Sequence, residues 1–76
     1  MNKNRDVDFI KRFGKNLRKI RKAKNMSQET LAIYADTSRS QIARIERGEV
    51  NPTITTINRF AVALQIDIQY LFQIDS

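Results

Sequence analysis

The chain has 76 residues, with 14 Lys and Arg against 8 Asp and Glu, a formal net charge of +6, and neither cysteine nor histidine. A chain of this length builds one small core, so a single domain over residues 1–76 is expected. Disulfides are excluded, metal ligands are reduced to carboxylates, and a Ser–His or Cys–His nucleophile cannot be assembled.

The charge is polarised along the chain. Residues 1–25 carry ten Lys and Arg against Asp6 and Asp8, whereas residues 26–76 carry Arg39, Arg44, Arg47 and Arg59 against six acids. Residues 9–25 hold no acid. A solvated helix face usually mixes both signs, and a one-sign excess suggests a polyanionic partner. No apolar run approaches the roughly 20 residues that span a bilayer. The charged start has no apolar signal core, so the cytoplasm is the expected location and no membrane partner is expected.

Residues 1–6 are polar and expected to be disordered. Asp8 is a candidate cap for a first helix whose apolar stripe is Phe9 or Ile10, Phe13, Leu17 and Ile20, with basic residues on the other faces. Asn25 is a plausible stop, because Asn tolerates a left-handed backbone. Ser27 caps a second helix, about Gln28 to Ala35, with Glu29 in the first turn where the helix dipole favours an acid. Asp36 and Thr37 end it. Ser38 then caps a third helix, with Gln41 three residues on in capping-box position, Ile42 and Ile45 on one face, and Gly48 as its C-terminal glycine. Asn51-Pro52 marks a loop. Thr53 or Thr55 caps a fourth helix carrying Ile57, Phe60, Ala61 and Leu64. Asp67 caps a fifth, short one with Ile68, Leu71 and Phe72. The expected fold is all-α, with five helices.

The segment "ADTS" (Ala35 to Ser38) thus packs a stop and a start into four residues between two short helices. That is the helix-turn-helix unit, about residues 28–47, in which the first helix braces and the second probes the major groove of DNA. With Ile42 and Ile45 inward, Arg39, Ser40, Ala43, Arg44 and Arg47 face out. Free N–H groups at Ser27 and Gln28 suit a phosphate, with capping of the second helix as the alternative role.

The stretches "NLRKIRKAKNMSQETLA" and "TSRSQIARIERGEVNPTITTINRFAVALQIDIQYLF" resemble the Cro/repressor-type, or xenobiotic-response-element, helix-turn-helix family over about residues 13–72. Gln28 opens the second helix, Ala32 sits where the helices cross, and "IERG" ends the third helix as in that family. Asp36 and Gln65 stand where the family usually has Gly. The resemblance implies a lambda-repressor-like domain that binds double-stranded DNA and regulates transcription. It places Arg39, Ser40 and Arg44 at base-contacting positions, with Gln41 divided between capping and base contact. An Arg pairs bidentately with guanine O6 and N7, so guanine is expected in each half-site. The same resemblance puts Ser27 and Gln28 on the DNA backbone. Arg47 and the backbone N–H groups of Val50, Asn51 and Thr53 are further phosphate candidates, although Glu49 works against them. It also makes Arg21 and Glu46 an internal ion pair rather than a DNA contact.

The tail from Leu64 to Ile74 is rich in apolar residues. Ile66, Leu71 and Ile68 can fill the core, and Tyr70, Phe72 and Ile74, with Ile68, are candidates for a homodimer interface beside the fourth helix; the alternative is that they close a monomeric core. Two reading helices would then stand about 34 Å apart on a roughly palindromic site. Phage repressors, restriction–modification controllers and antitoxins are small members of the family, and a single-domain chain suits the controller. The competing function is an antitoxin-type module that masks a toxin. RNA binding is weakly supported by the few aromatics. No enzyme, cofactor or small-molecule ligand is expected.

Overall fold

The computed structural model describes residues 3–74 and forms them into α1 (Lys3–Ala23), α2 (Gln28–Tyr34), α3 (Arg39–Glu46), α4 (Ile54–Leu64) and a 3-10 helix (Ile68–Phe72). The all-α expectation holds among the described residues, but the count of five helices does not. The last element is a tight 3-10 segment in which Tyr70 N–H donates to the Asp67 carbonyl at 3.1 Å. Asp67 makes no side-chain cap there. Instead Asn16 of α1 donates its amide to the carbonyls of Tyr70 and Leu71 at 3.0 and 2.9 Å. An uncapped five-residue segment gains too few i→i+4 bonds to nucleate an α-helix, and short 3-10 turns are the usual outcome.

The first helix starts earlier than expected. It includes residues 3–6, and Asp8 lies inside it, paired with Arg12 one turn on at 3.2 Å, rather than at its cap. Residues 1 and 2 of the expected disordered segment lie outside the described residues. Asp6 in the first turn complements the positive end of the helix dipole, and no Gly or Pro interrupts the run before Gly14. Of the alternatives for the stripe, Ile10 is half-buried and Phe9 exposed.

Each remaining α-helix begins on a hydroxyl. Ser27 accepts from Thr30 N–H, Ser38 from Gln41 N–H and Thr53 from Thr56 N–H, at 3.0 to 3.1 Å. All four α-helices end alike. Asn25, Asp36, Gly48 and Gln65 take the left-handed conformation, with φ of 57°, 55°, 73° and 57°. The N–H of the next residue then reaches back to the carbonyl five residues earlier: Met26 to Arg21, Thr37 to Ala32, Glu49 to Arg44 and Ile66 to Ala61, at 2.9 to 3.1 Å. This Schellman arrangement satisfies otherwise orphaned carbonyls and turns the chain sharply. Asp36 therefore does the work of the family's glycine between α2 and α3, and Gln65 does it after α4.

The core is made by Phe13 and Leu17 of α1, Leu31, Ala32 and Ala35 from α2 and its cap, Ile42 and Ile45 of α3, Ile57, Phe60, Ala61 and Leu64 of α4, and Leu71. Two glycines let α1 cross the end of α3 backbone to backbone. A Cβ on Gly14 would stand 2.3 Å from the Ile45 carbonyl oxygen, and one on Gly48 would stand 2.5 Å from Cγ of Lys11. Side chains at these positions would force the helices apart.

Candidate nucleic-acid interface

The third helix presents its polar face outward because its apolar residues are fully taken by the core. Ile42 and Ile45 are buried, while Arg39, Ser40, Arg44 and Arg47 are exposed and Gln41 is half-buried. Arg39, Ala43 and Arg47, successive along one face, form a wall of an open groove of about 630 Å³. Ser27, Gln28 and Glu29 at the start of α2 form another wall, and Arg18 reaches in from α1. Ser40 lies on an adjoining hollow shared with Gln28 and Arg39. The structure thus gathers Ser27, Gln28, Arg39, Ser40 and Arg47. Arg44 is exposed but lines neither hollow.

Beneath this groove, Arg21 and Glu46 are buried, at 6% and 8% exposure. The Arg21 guanidinium donates from Nε to Glu46 Oε2 at 2.6 Å and from Nη2 to Oε1 at 3.0 Å. Nη1 donates to the Met26 carbonyl at 2.7 Å, and Gln28 Nε2 donates to Glu46 Oε1 at 3.0 Å. One carboxylate therefore ties α1, the start of α2 and the end of α3 together. A paired, hydrogen-bonded charge is tolerable in a core, and an unpaired one is not.

Several residues assigned to phosphate have side chains that are engaged internally. The Ser27 hydroxyl caps α2 and donates to Thr30 Oγ1 at 2.9 Å. Thr53 does the same for α4, with Thr56. The amide nitrogen of Gln28 is engaged by Glu46. A phosphate at these positions would be met by backbone N–H groups. Arg47 forks onto Glu49, Nε to Oε2 at 2.5 Å and Nη2 to Oε1 at 3.1 Å, with both side chains exposed. The hydrogen bonds from Arg47, reinforced by the charges of Arg47 and Arg44, hold the Glu49 carboxyl below the usual carboxylate range. Glu49 in turn raises Arg47 further. Asn51 is exposed and borders a separate, mostly apolar hollow with Phe9, Ile54 and Phe72.

Two groups were missed from the sequence. Arg18 precedes Arg21 by three residues, and so by one turn of α1, and the placement of Arg21 against α3 was signal enough to bring Arg18 to the groove. The Arg47–Glu49 fork depends on the Gly48 turn and had no comparable signal. In the tail, Tyr70 and Phe72 are exposed at 44% and 39%, and the Phe72 ring lies 5.5 Å from that of Phe13. Ile68 and Ile74 are partly buried against the core instead of standing free. Ile33, Tyr34, Ile54 and Val62 are further exposed apolar residues that the sequence did not single out. Among the described residues no acidic group of three could hold a metal ion, and no helix is long and apolar enough to cross a membrane.

A family model described as helix-turn-helix matches residues 17–71. The chain is 44% identical over 55 residues to the control protein C.BamHI of Bacillus amyloliquefaciens, covering 71% of this chain and 68% of that protein. It is 40% identical over 55 residues to the immunity repressor protein of Bacillus phage phi105, covering 72% of this chain but 38% of the repressor. Among solved structures, the restriction-modification controller protein C.AhdI from Aeromonas hydrophila matches with a TM-score of 0.82 and 41% identity, over 83% of this chain and 96% of that one. The chain belongs to the XRE-type helix-turn-helix family, that of DNA-binding transcriptional regulators.

Proposed function

We propose that this protein regulates transcription by binding a specific, roughly palindromic double-stranded DNA site as a homodimer, with α3 in the major groove. The observation that carries this reading is the outward face of α3: exposed guanidinium groups at Arg39 and Arg44 and a hydroxyl at Ser40, on a helix capped at Ser38 and anchored from below by Arg21–Glu46. Arg39 and Arg44 read guanine, Ser40 and Gln41 contribute weaker base contacts, and Arg47 with the N–H groups around Ser27, Gln28, Asn51 and Thr53 holds the backbone. Tyr70 and Phe72, with the edges of Ile68 and Ile74, form the twofold contact and set the reading helices about one DNA turn apart. The likeness to C.BamHI and C.AhdI supports control of restriction–modification genes over the other systems such small regulators serve.

Random-site selection with the purified protein tests the reading. The selected site should contain guanine in each half, and Arg39→Ala or Arg44→Ala should each relax preference at one base pair by about 1–3 kcal/mol. A uniform drop over all sequences would make those arginines phosphate contacts instead. Sedimentation equilibrium should show a dimer that Tyr70→Asp weakens; a monomer that binds one half-site equally well would remove the twofold arrangement.

A further inference from the structure

We propose that Glu49 is an internal competitor for the DNA phosphate that Arg47 binds, so that this acid sets the protein's hold on the DNA backbone without taking part in sequence choice. This rests on the DNA-binding reading above. The guanidinium of Arg47 offers a fork of two N–H donors, which fits a phosphate as well as a carboxylate. That fork is closed on Glu49, at 2.5 and 3.1 Å. Its position is that of a backbone contact: Arg47 borders the groove that also holds Arg39, Arg18 and the start of α2.

The acid is held in place by the fold. Gly48, at φ 73°, reverses the chain at the end of the reading helix, and Glu49 N–H is bonded to the Arg44 carbonyl at 2.9 Å. A phosphate approaching Arg47 therefore meets a carboxylate already seated on the fork, and two anions on one fork repel each other. Because both side chains are about half exposed, the pair itself is weak and displaceable, so Glu49 lowers affinity without abolishing it. A neutral residue at this position leaves Arg47 open to DNA. The effect is blind to sequence, because a phosphate is common to every base pair.

Glu49→Gln, Arg47→Ala and the double variant, each titrated with the selected duplex and with a scrambled one over a range of salt, test the proposal. Glu49→Gln should tighten binding to both duplexes by on the order of threefold to tenfold, leave their ratio unchanged, and steepen the salt dependence by up to about 0.9 in log–log slope, the value of one phosphate contact. In the Arg47→Ala background the gain should fall by at least half and the slope should not steepen. Unchanged or weaker binding by Glu49→Gln overturns the proposal, as does an altered preference at one base pair or an equal gain without Arg47. If the unaltered protein does not distinguish the duplexes, the regulator reading fails instead, and the salt slopes on either duplex still report on Glu49.

Discussion

Replacing Glu46 by Gln keeps the size of the side chain and removes one charge from the buried pair. The carboxylate accepts three hydrogen bonds: Oε1 takes Arg21 Nη2 and Gln28 Nε2, and Oε2 takes Arg21 Nε. An amide can satisfy the two donors at Oε1 with its oxygen, but its NH2 then faces the Nε–H of Arg21, donor against donor. Turning the amide over makes two such clashes instead of one. The guanidinium is left charged, buried and short of an acceptor. Breaking a buried pair in this way costs about 3–5 kcal/mol. A chain of this size has about 4–11 kcal/mol of total stability at ordinary per-residue values, so about a quarter or more of it should vanish. Urea denaturation followed by circular dichroism should show a midpoint lower by about 2–4 M at a typical slope for a small domain. The paired exchange Arg21→Met with Glu46→Leu should regain most of that loss, since apolar residues of similar volume can replace a buried ion pair. DNA affinity should nevertheless stay low in the paired exchange, because Gln28 loses the acceptor that fixes the start of α2 against α3. A Glu46→Gln midpoint within about 0.5 M of the unaltered protein would show that the pair does not hold the helices together.

Gly14→Ala should destabilise the fold by about 1–3 kcal/mol or more, as overpacking does, because its Cβ would lie 2.3 Å from the Ile45 carbonyl oxygen; a melt unchanged from the original would mean that α1 does not approach α3 so closely. Gln65→Gly should act oppositely. Relief of a left-handed backbone outweighs the added entropy of the unfolded chain by about 0.5–1 kcal/mol, a rise in melting temperature of about 3–6 °C, and a fall in calorimetric Tm would count against the positive φ at Gln65. Arg18→Ala should weaken binding to all duplexes alike and reduce the salt slope by about one, which electrophoretic titrations at several salt concentrations will measure; a loss confined to one sequence would assign Arg18 to a base instead.

The features that could be read from the sequence are those decided within one turn of chain. Ser27, Ser38 and Thr53 cap residues three positions on, so the starts of α2, α3 and α4 are written locally. The helix ends are nearly as local, since a left-handed residue and its five-residue return bond need no distant partner. Periodicity places Ile42 and Ile45 inside, and so places Arg39, Ser40 and Arg44 outside. What escaped depends on crossings. Gly14 looks like a poor helix former in isolation, and its role arises where α1 meets the end of α3; that role becomes visible once the Ile45 carbonyl is known to lie against it.

Arg18 depends on such a crossing, whereas the Arg47–Glu49 fork is local and depends on the Gly48 turn. Arg18 gains its place at the groove because Arg21, one turn along α1, is drawn under α3 by Glu46. The fork forms because Gly48 turns Glu49 back toward the end of the reading helix. The tail shows the converse. Its apolar residues suggested a capped helix with one free face, yet Asn16, 54 residues away from Tyr70 in the chain, takes the carbonyls that a longer helix would have used internally. Ile68 and Ile74 are drawn partly onto the core, which leaves Tyr70 and Phe72 as the exposed apolar surface of that segment. Local chemistry thus decides which helices form and which way they face. The contacts that α1 makes with α3 and with the tail decide which charges reach the groove, and those contacts join residues too distant in the chain for spacing to reveal.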